Sequence, residues 1–286
     1  MDRSGDGILM DMPLSVSRET WALQQRPALR DWNSDILYGN LKMEPMLMFT
    51  DPPYGTGKRY TRGGNTYKDG IDTAPTIEAI NSWLPIMDPN GTVVVCCDYR
   101  LAPDLATQLD WCYRGEIIWE FHLGNPGRKN WWPAKHNNLV MFTRTPTSGI
   151  FHIEAVPRTK RLSGPMTRKV VKTRGKEYSY DYPKQYKVYD YPADKPSGSV
   201  WDYTYSSSDG RRVGYPTEKP VEIITPFVMA HTNPGDLVVD PFMGSGTTGV
   251  AAIQVDRKFY GSDISADAVR VATERLEAVS AETRKQ

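Results

Sequence analysis

Two short segments hold the side chains best placed to do chemistry. Residues 51–54 read Asp-Pro-Pro-Tyr and follow the apolar run 46–49, Met-Leu-Met-Phe, with only Thr50 between. Two consecutive prolines cannot donate to a β-ladder, so a strand that reaches them ends in a rigid turn displaying an acid and an aromatic ring. Asp and Pro also favour ordinary turns, so this segment alone allows a purely structural reading. Residues 240–249 read Asp-Pro-Phe-Met-Gly-Ser-Gly-Thr-Thr-Gly, where Asp240 closes the apolar run 237–239 and Gly244, Gly246 and Gly249 form a G-x-G-x-x-G opening a helix. Such glycines permit a tight turn and let a ligand lie against the backbone at the positive end of the helix. Asp263 closes the next expected strand about 20 residues after the first glycine, where a carboxylate can accept hydrogen bonds from ribose hydroxyls.

Three ligands compete for this glycine turn. A phosphate loop for ATP requires Lys before Ser or Thr, and Val250 stands after Gly249. In a nicotinamide-dinucleotide turn a small apolar strand end runs straight into the glycines, whereas here Asp240, Pro241 and Phe242 intervene. An acid at the strand end suits a ligand with an ammonium group, and Phe242 can face a cation such as the sulfonium of S-adenosylmethionine. The alternative puts Phe242 in the core and makes Asp240 the cap of a turn.

The remaining residues supply an α/β frame. With 286 residues the chain can bury a large core, and 39% hydrophobic with 24% charged residues is ordinary for a globular protein. A net charge of +1 gives no global hint of a polyanionic partner, so any basic surface must be local. No apolar run approaches the roughly 18 residues of a membrane span, and residues 1–12 lack a signal-peptide pattern, so a cytoplasmic protein is expected. Cys96, Cys97 and Cys112 form no C-x-x-C and have no His at ligand spacing, which predicts reduced core thiols and no metal site. Residues 1–34, interrupted by Pro13 and Pro27, predict an arm or loosely packed lead-in. Residues 35–144 alternate strand and helix signals, with strands expected at 46–49, 92–97, 116–121 and 138–143 and helices at 73–84 and 101–111. The loop 124–136 carries Trp131 and Trp132, which suit either a substrate contact or the core. Residues 145–214 predict a separate lobe: the basic residues of 158–176 are uninterrupted by any Asp or Glu, and a tyrosine-rich tract follows at 178–192. Residues 215–286 return to α/β with a final helix whose Val269, Ala272, Leu276 and Val279 make one apolar stripe.

Taken together, Asp-Pro-Pro-Tyr and the 240–249 segment resemble the amino-group DNA methyltransferases. The resemblance extends to the 33–40 segment, which holds Asp35 and Ile36, to Ser-Val-Trp-Asp-Tyr at 199–203 and to Tyr-Pro-Thr-Glu-Lys-Pro at 215–220, and it spans roughly residues 35–275. With the catalytic motif first and the glycine turn last, the order resembles the permuted β class. The resemblance implies a doubly wound, mostly parallel Rossmann-like sheet, circularly permuted, with an inserted target-recognition lobe. It implies S-adenosylmethionine as cofactor, held by Asp35, Ile36, Thr217, Lys219, Asp240, Phe242, Gly244, Ser245, Gly246, Thr247, Asp263 and Ile264. Plain helix chemistry gives Thr217 a capping role and puts Pro220 in the first helical turn.

The chemistry of such an enzyme accounts for the residue types. An exocyclic amino nitrogen is a poor nucleophile because its lone pair is delocalised into the ring. The Asp51 carboxylate and the Pro52 carbonyl can each accept one N–H, favouring a pyramidal nitrogen whose lone pair points at the methyl group. Pro52 and Pro53 hold these acceptors still, which is electrostatic preorganisation. Tyr54 would stack on the flipped base, a contact worth about 1–3 kcal/mol. Double-stranded DNA is the implied partner, contacted by Lys58, Arg59 and Arg62 from the loop 55–70 and by Arg158, Lys160, Arg161, Arg168 and Lys169 from the basic lobe. A solvent loop and a solvated charge run are the plain readings of those two regions. Asp rather than Ser at the first motif position favours adenine N6 in the resembling enzymes, with cytosine N4 as the rival. A nicotinamide-dependent oxidoreductase and an inactive DNA-binding module are the readings from other classes. A second copy of the chain and a cognate restriction enzyme are further partners that the resemblance allows.

Overall fold

Apolar runs bounded by turn residues become neighbouring strands of one mixed sheet. A computed structural model describes residues 15–17, 20–25, 43–62, 65–120, 136–156, 161–163, 166–173, 176–183, 187–189, 200–202 and 218–284. In chain order the first elements are β1 (Ser15–Ser17), β2 (Trp21–Gln25), β3 (Pro45–Thr50), β4 (Arg59–Arg62), β5 (Asn65–Lys68) and α1 (Ala74–Trp83). There follow β6 (Thr92–Cys97), α2 (Leu101–Gln108), β7 (Cys112–Glu120), β8 (His136–Thr143), β9 (Arg161–Ser163), β10 (Met166–Thr173), β11 (Lys176–Pro183), β12 (Lys187–Tyr189) and β13 (Val200–Asp202). The last are α3 (Val221–His231), β14 (Leu237–Asp240), α4 (Thr247–Gln254), β15 (Lys258–Asp263) and α5 (Ala266–Thr283).

The main sheet has the order β1-β2-β15-β14-β3-β6-β8-β7-β13. From β2 to β6 all neighbours are parallel, while β8 runs antiparallel to both β6 and β7. Parallel strands need helical crossovers that cover both faces, which is why β3, β6 and β14 read as continuous apolar runs. Alternate residues divide between the two cores. Leu47, Phe49, Val94 and Val238 pack with α3, α4 and α5 on one face. Met48, Val93, Val95 and Val239 pack with α1 and α2 on the other. The doubly wound, mostly parallel architecture expected from sequence is therefore present.

Three expectations are revised. The lead-in is not loosely packed throughout: β2 pairs in parallel with β15, its Trp21 and Leu23 are buried, and Trp21 Nε1 donates to Ser280 Oγ on α5 at 3.1 Å. A five-residue strand completed by a partner so distant in sequence leaves little local pattern to read. The region 145–214 is joined to the main body at both ends. His152 N donates to the Ala230 carbonyl of α3, and β13 extends the main sheet beside β7. The expected loop 55–70 contains a hairpin, β4–β5, whose register sets Arg59 opposite Lys68 and Arg62 opposite Asn65.

Inside the basic region, β10 and β11 form a two-stranded ribbon. Its register sets Arg168 opposite Asp181 and Lys172 opposite Glu177, while Lys169 faces Tyr180. On a pleated ribbon the two sets alternate: Lys169, Tyr178, Tyr180 and Tyr182 share one face, and Arg168 with its acidic partner belongs to the other.

Candidate active site

The site forms where the winding of the sheet reverses. From the adjacent pair β3 and β14, the chain proceeds through α1 to β6 on one side and through α4 to β15 on the other. Connections that diverge in this way leave a crevice at the carboxyl ends of the two strands. Asp51 follows β3 there, and Asp240 is the last residue of β14.

The two acids have different surroundings. Asp240 is buried; its Oδ1 accepts from Thr50 Oγ1 at 2.7 Å and from Phe242 N at 3.1 Å, and its Oδ2 accepts from Thr248 Oγ1 at 2.7 Å. Burial pushes its carboxyl up to about 7, against the opposing effect of these three donors. These three donors tie Asp240 to the end of β3, to the turn after β14 and to the start of α4. Asp51 is partly exposed at 22%, and it is held by two donors: the Tyr54 hydroxyl on Oδ1 and the Lys219 ammonium on Oδ2. The same ammonium lies 5.8 Å from the centre of the Tyr54 ring. Sequence reasoning put Lys219 with the cofactor; it stands on the Asp51 carboxylate.

Tyr54 also approaches Cys96 Sγ at 3.5 Å, and burial raises the phenol far above its ordinary range. Burial likewise pushes the Cys96 thiol up to about 12, so this cysteine sits behind the tyrosine as an un-ionised neighbour. Cys97 is buried as expected, but Cys112 is only half-buried at the start of β7. The turn is anchored from α1, where Thr76 Oγ1 donates to the Pro53 carbonyl at 3.1 Å. Pro52 is buried and Pro53 half-buried.

Beyond Tyr54, one carboxylate that sequence reasoning missed closes the hairpin neck. Buried Asp69 accepts from Gly55 N at 3.3 Å, from Thr56 N at 2.7 Å and from the Thr56 hydroxyl. Gly57 N donates to the Gly70 carbonyl at 2.7 Å across the same neck. Gly55 and Gly57 are turn residues at φ +72° and +66° inside this clasp. Lys58 and Arg59 are exposed just above it, and Arg62 ends β4.

In the glycine turn, two glycines lie in close contact with neighbouring elements. A Cβ on Gly246 would stand 2.8 Å from Ala272 Cβ of α5, and one on Gly249 would stand 2.5 Å from the Phe259 ring. The Asp263 carboxylate accepts from Gly244 N at 3.0 Å and Ser265 N at 2.9 Å, tying the turn to the end of β15; burial raises its carboxyl. Ser245 and Thr247 are buried, and both hydroxyls accept from Arg275 Nη1 at 3.0 Å. Arg275 pairs in turn with Glu218 at 3.2 Å. Neither member of that pair stood out in sequence; the available signal was an arginine flanking the apolar stripe of α5. Ile264, just after the end of β15, is 72% exposed, while Phe242 is half-buried against the α1–α2 core.

Asp35, Ile36, Thr217, Trp131, Trp132, Arg158 and Lys160 lie outside the described residues. Pro220 is the residue before the first turn of α3, extended at φ −68° and ψ 136°, rather than a member of that turn. Arg161 belongs to β9, and Arg168 and Lys169 belong to β10.

This geometry agrees with comparisons to known proteins. A family model described as DNA methylase, for N6 and N4 methyltransferases, matches residues 46–274. The type II methyltransferase M2.DpnII of Streptococcus pneumoniae is 35% identical over 257 residues, covering 83% of this chain and 85% of that protein. The DNA adenine methyltransferase YhdJ of Escherichia coli (strain K12) is 26% identical over 239 residues, covering 82% and 76%. Among solved structures, the cytosine-N4-specific PvuII DNA methyltransferase superposes with a TM-score of 0.57 at 15% identity, covering 93% of this chain and 92% of that one. The M1.HpyAVI–SAM complex superposes with a TM-score of 0.51 at 22% identity, covering 82% and 89%. With both signature turns inside the matched span and the fold shared, the chain belongs to the N6/N4 DNA methylase family.

Proposed function

We propose that this protein transfers a methyl group from S-adenosylmethionine to the exocyclic N6 of adenine in double-stranded DNA. The observation that carries this reading is the placement of Asp51, displayed at the end of β3 by a two-proline turn and oriented by Tyr54 and Lys219, next to the glycine turn that leaves β14. The donor set suits the cofactor. The turn has no lysine for a triphosphate, and exposed Ile264 beside Asp263 offers apolar surface for an adenosine at the end of β15. Gly244, Asp263, Ile264 and Phe242 are the residues proposed to hold it; Ser245, Gly246 and Thr247 shape the turn from behind. When bound, S-adenosylmethionine supplies a methyl group made electrophilic by its sulfonium.

Asp51 and Pro52 then act on the flipped base. A carboxylate has about four lone-pair sites, so Asp51 can accept an amino N–H while Tyr54 and Lys219 keep it oriented. The Pro52 carbonyl takes the second N–H, and the amino lone pair is left pointing at the incoming methyl. Tyr54 stacks on the base, and Asp51 is the nearest acceptor for the proton that the methylated nitrogen releases.

The motif order supports membership of the permuted β class, and Asp51 together with the similarity to YhdJ supports adenine. Lys58, Arg59 and Arg62 of the hairpin and Arg161 and Lys169 of the basic region are proposed to meet the phosphates. The type II names of relatives support a cognate restriction enzyme as partner, acting with this chain in the cytoplasm. Exposed Phe151, Ile153 and Met229, brought together beside α3, support a homodimer, which light scattering tests. Among the described residues no helix is long and apolar enough to cross a membrane.

Incubation with unmethylated DNA and S-adenosylmethionine, digestion to nucleosides and mass identification tests the reaction. N6-methyladenine is the expected product. N4-methylcytosine would reassign the target base, and absence of both would overturn the reading.

A further inference from the structure

Helix α5 lies against the back of the glycine turn. Ala272 fills the space a Cβ on Gly246 would need, and three residues further along α5 Arg275 reaches the turn itself. Its Nη1 donates to the Ser245 carbonyl at 2.9 Å and to Ser245 Oγ and Thr247 Oγ1 at 3.0 Å. Its Nη2 stands 3.2 Å from Glu218 Oε1, in a pair whose side chains are 13% and 2% exposed. Glu218 immediately precedes Lys219, whose ammonium holds Asp51. A single planar cation therefore touches both the cofactor turn and the segment that carries the lysine on the acceptor carboxylate.

We infer that Arg275 is a positioning residue that couples the glycine turn to Asp51, through Ser245 and Thr247 on one side and through Glu218 and Lys219 on the other. It touches no reacting atom, and the inference rests on the methyltransferase reading of the site. A carboxylate as deeply buried as Glu218 must keep its cation, so residues 218–220 follow the guanidinium. The rigid fork of an arginine can serve both partners at once in fixed geometry, which the point charge of a lysine cannot do. A shift of the turn is thereby transmitted to Lys219 and to the aim of Asp51.

The test uses the full chain. Arg275→Lys keeps the charge and loses the fork, and is expected to weaken S-adenosylmethionine binding about tenfold in calorimetry with unchanged stoichiometry. It is also expected to lower kcat at saturating cofactor and DNA, and to do so sub-additively with Lys219→Met, as linked residues behave. A residue that only supports the fold would instead reduce binding stoichiometry and Tm, leave the Kd of the folded fraction unchanged, and multiply independently with Lys219→Met; that pattern overturns the inference. Should Arg275→Lys fail to fold, Glu218→Gln, which keeps the shape and removes the charge, is put through the same measurements, and the same two patterns support or overturn the coupling. Failure of the unmodified protein to bind S-adenosylmethionine would overturn the reading of the site itself, whereas normal binding by it and equal binding by the variants would sink only the coupling.

Discussion

Asp51 and Asp240 close neighbouring strands, yet their surroundings give them different work. Asp51 has a cation and a phenol on its two oxygens and stays partly exposed, which suits the proposed role of acceptor for substrate. Asp51→Ala is expected to retain cofactor binding in calorimetry, because the glycine turn is untouched, while methyl transfer falls by roughly 10²–10³-fold, the usual loss for one preorganised hydrogen-bonding group. Equal loss of both would make Asp51 structural. For Asp240 the expected signature is in stability. Its carboxyl titrates near 3.8 in the unfolded chain and about 7 in the fold, so its contribution is fully present below 3.8 and is lost as pH rises toward about 7. Asp240→Asn removes that titration. Urea denaturation across this range should show the stability of the unmodified protein declining relative to the variant; parallel curves would refute the buried-acid assignment. Sequence announced both acids but not their division of labour, because Thr50 and Thr248, which occupy Asp240, are ordinary threonines until the strands are paired.

At the scale of elements, the hairpin β4–β5 is aimed from its neck. Asp69 gathers two amides and one hydroxyl of residues 55 and 56, so it fixes where the hairpin leaves the catalytic turn. Asp69→Ala is expected to speed hydrogen exchange at Gly55 and Thr56 by tenfold or more, since hydrogen bonds to charged groups contribute about 1.5–3 kcal/mol each. Unchanged exchange would show the neck to be held by other contacts. On the ribbon β10–β11, register separates two adjacent basic residues. Lys169→Ala should reduce the slope of log DNA affinity against log salt by about 0.9, one phosphate contact, while Arg168→Ala, opposite Asp181, should change it less. Identical slopes would show that the two faces of the ribbon do not differ toward DNA. The strands β3, β6 and β14 were legible because each is built on a continuous apolar run. The hairpin was not, because polar Arg, Thr, Tyr and Asn strands carry no burial signal, and the pair Glu218–Arg275 reads as two surface charges until α5 is packed.

At the scale of the molecule, the late strands β14 and β15 stand between the early strands β2 and β3. The 215–286 segment is therefore inserted in one sheet between the lead-in strand β2 and the strands of the 35–144 segment, and no segment owns a complete core. A chain cut after residue 214 loses the strands that join β2 to β3, together with α3, α4 and α5, and is expected to lack cooperative unfolding by circular dichroism. Addition of the separate 215–286 fragment should restore it; a cut chain that unfolds cooperatively alone would contradict the interleaving. The same arrangement sets an order of events during synthesis. Asp51 and its prolines leave the ribosome early, but Lys219 and the strand beside them arrive some 170 to 190 residues later, so a nascent or interrupted polypeptide carries the signature turn without the neighbours that aim it.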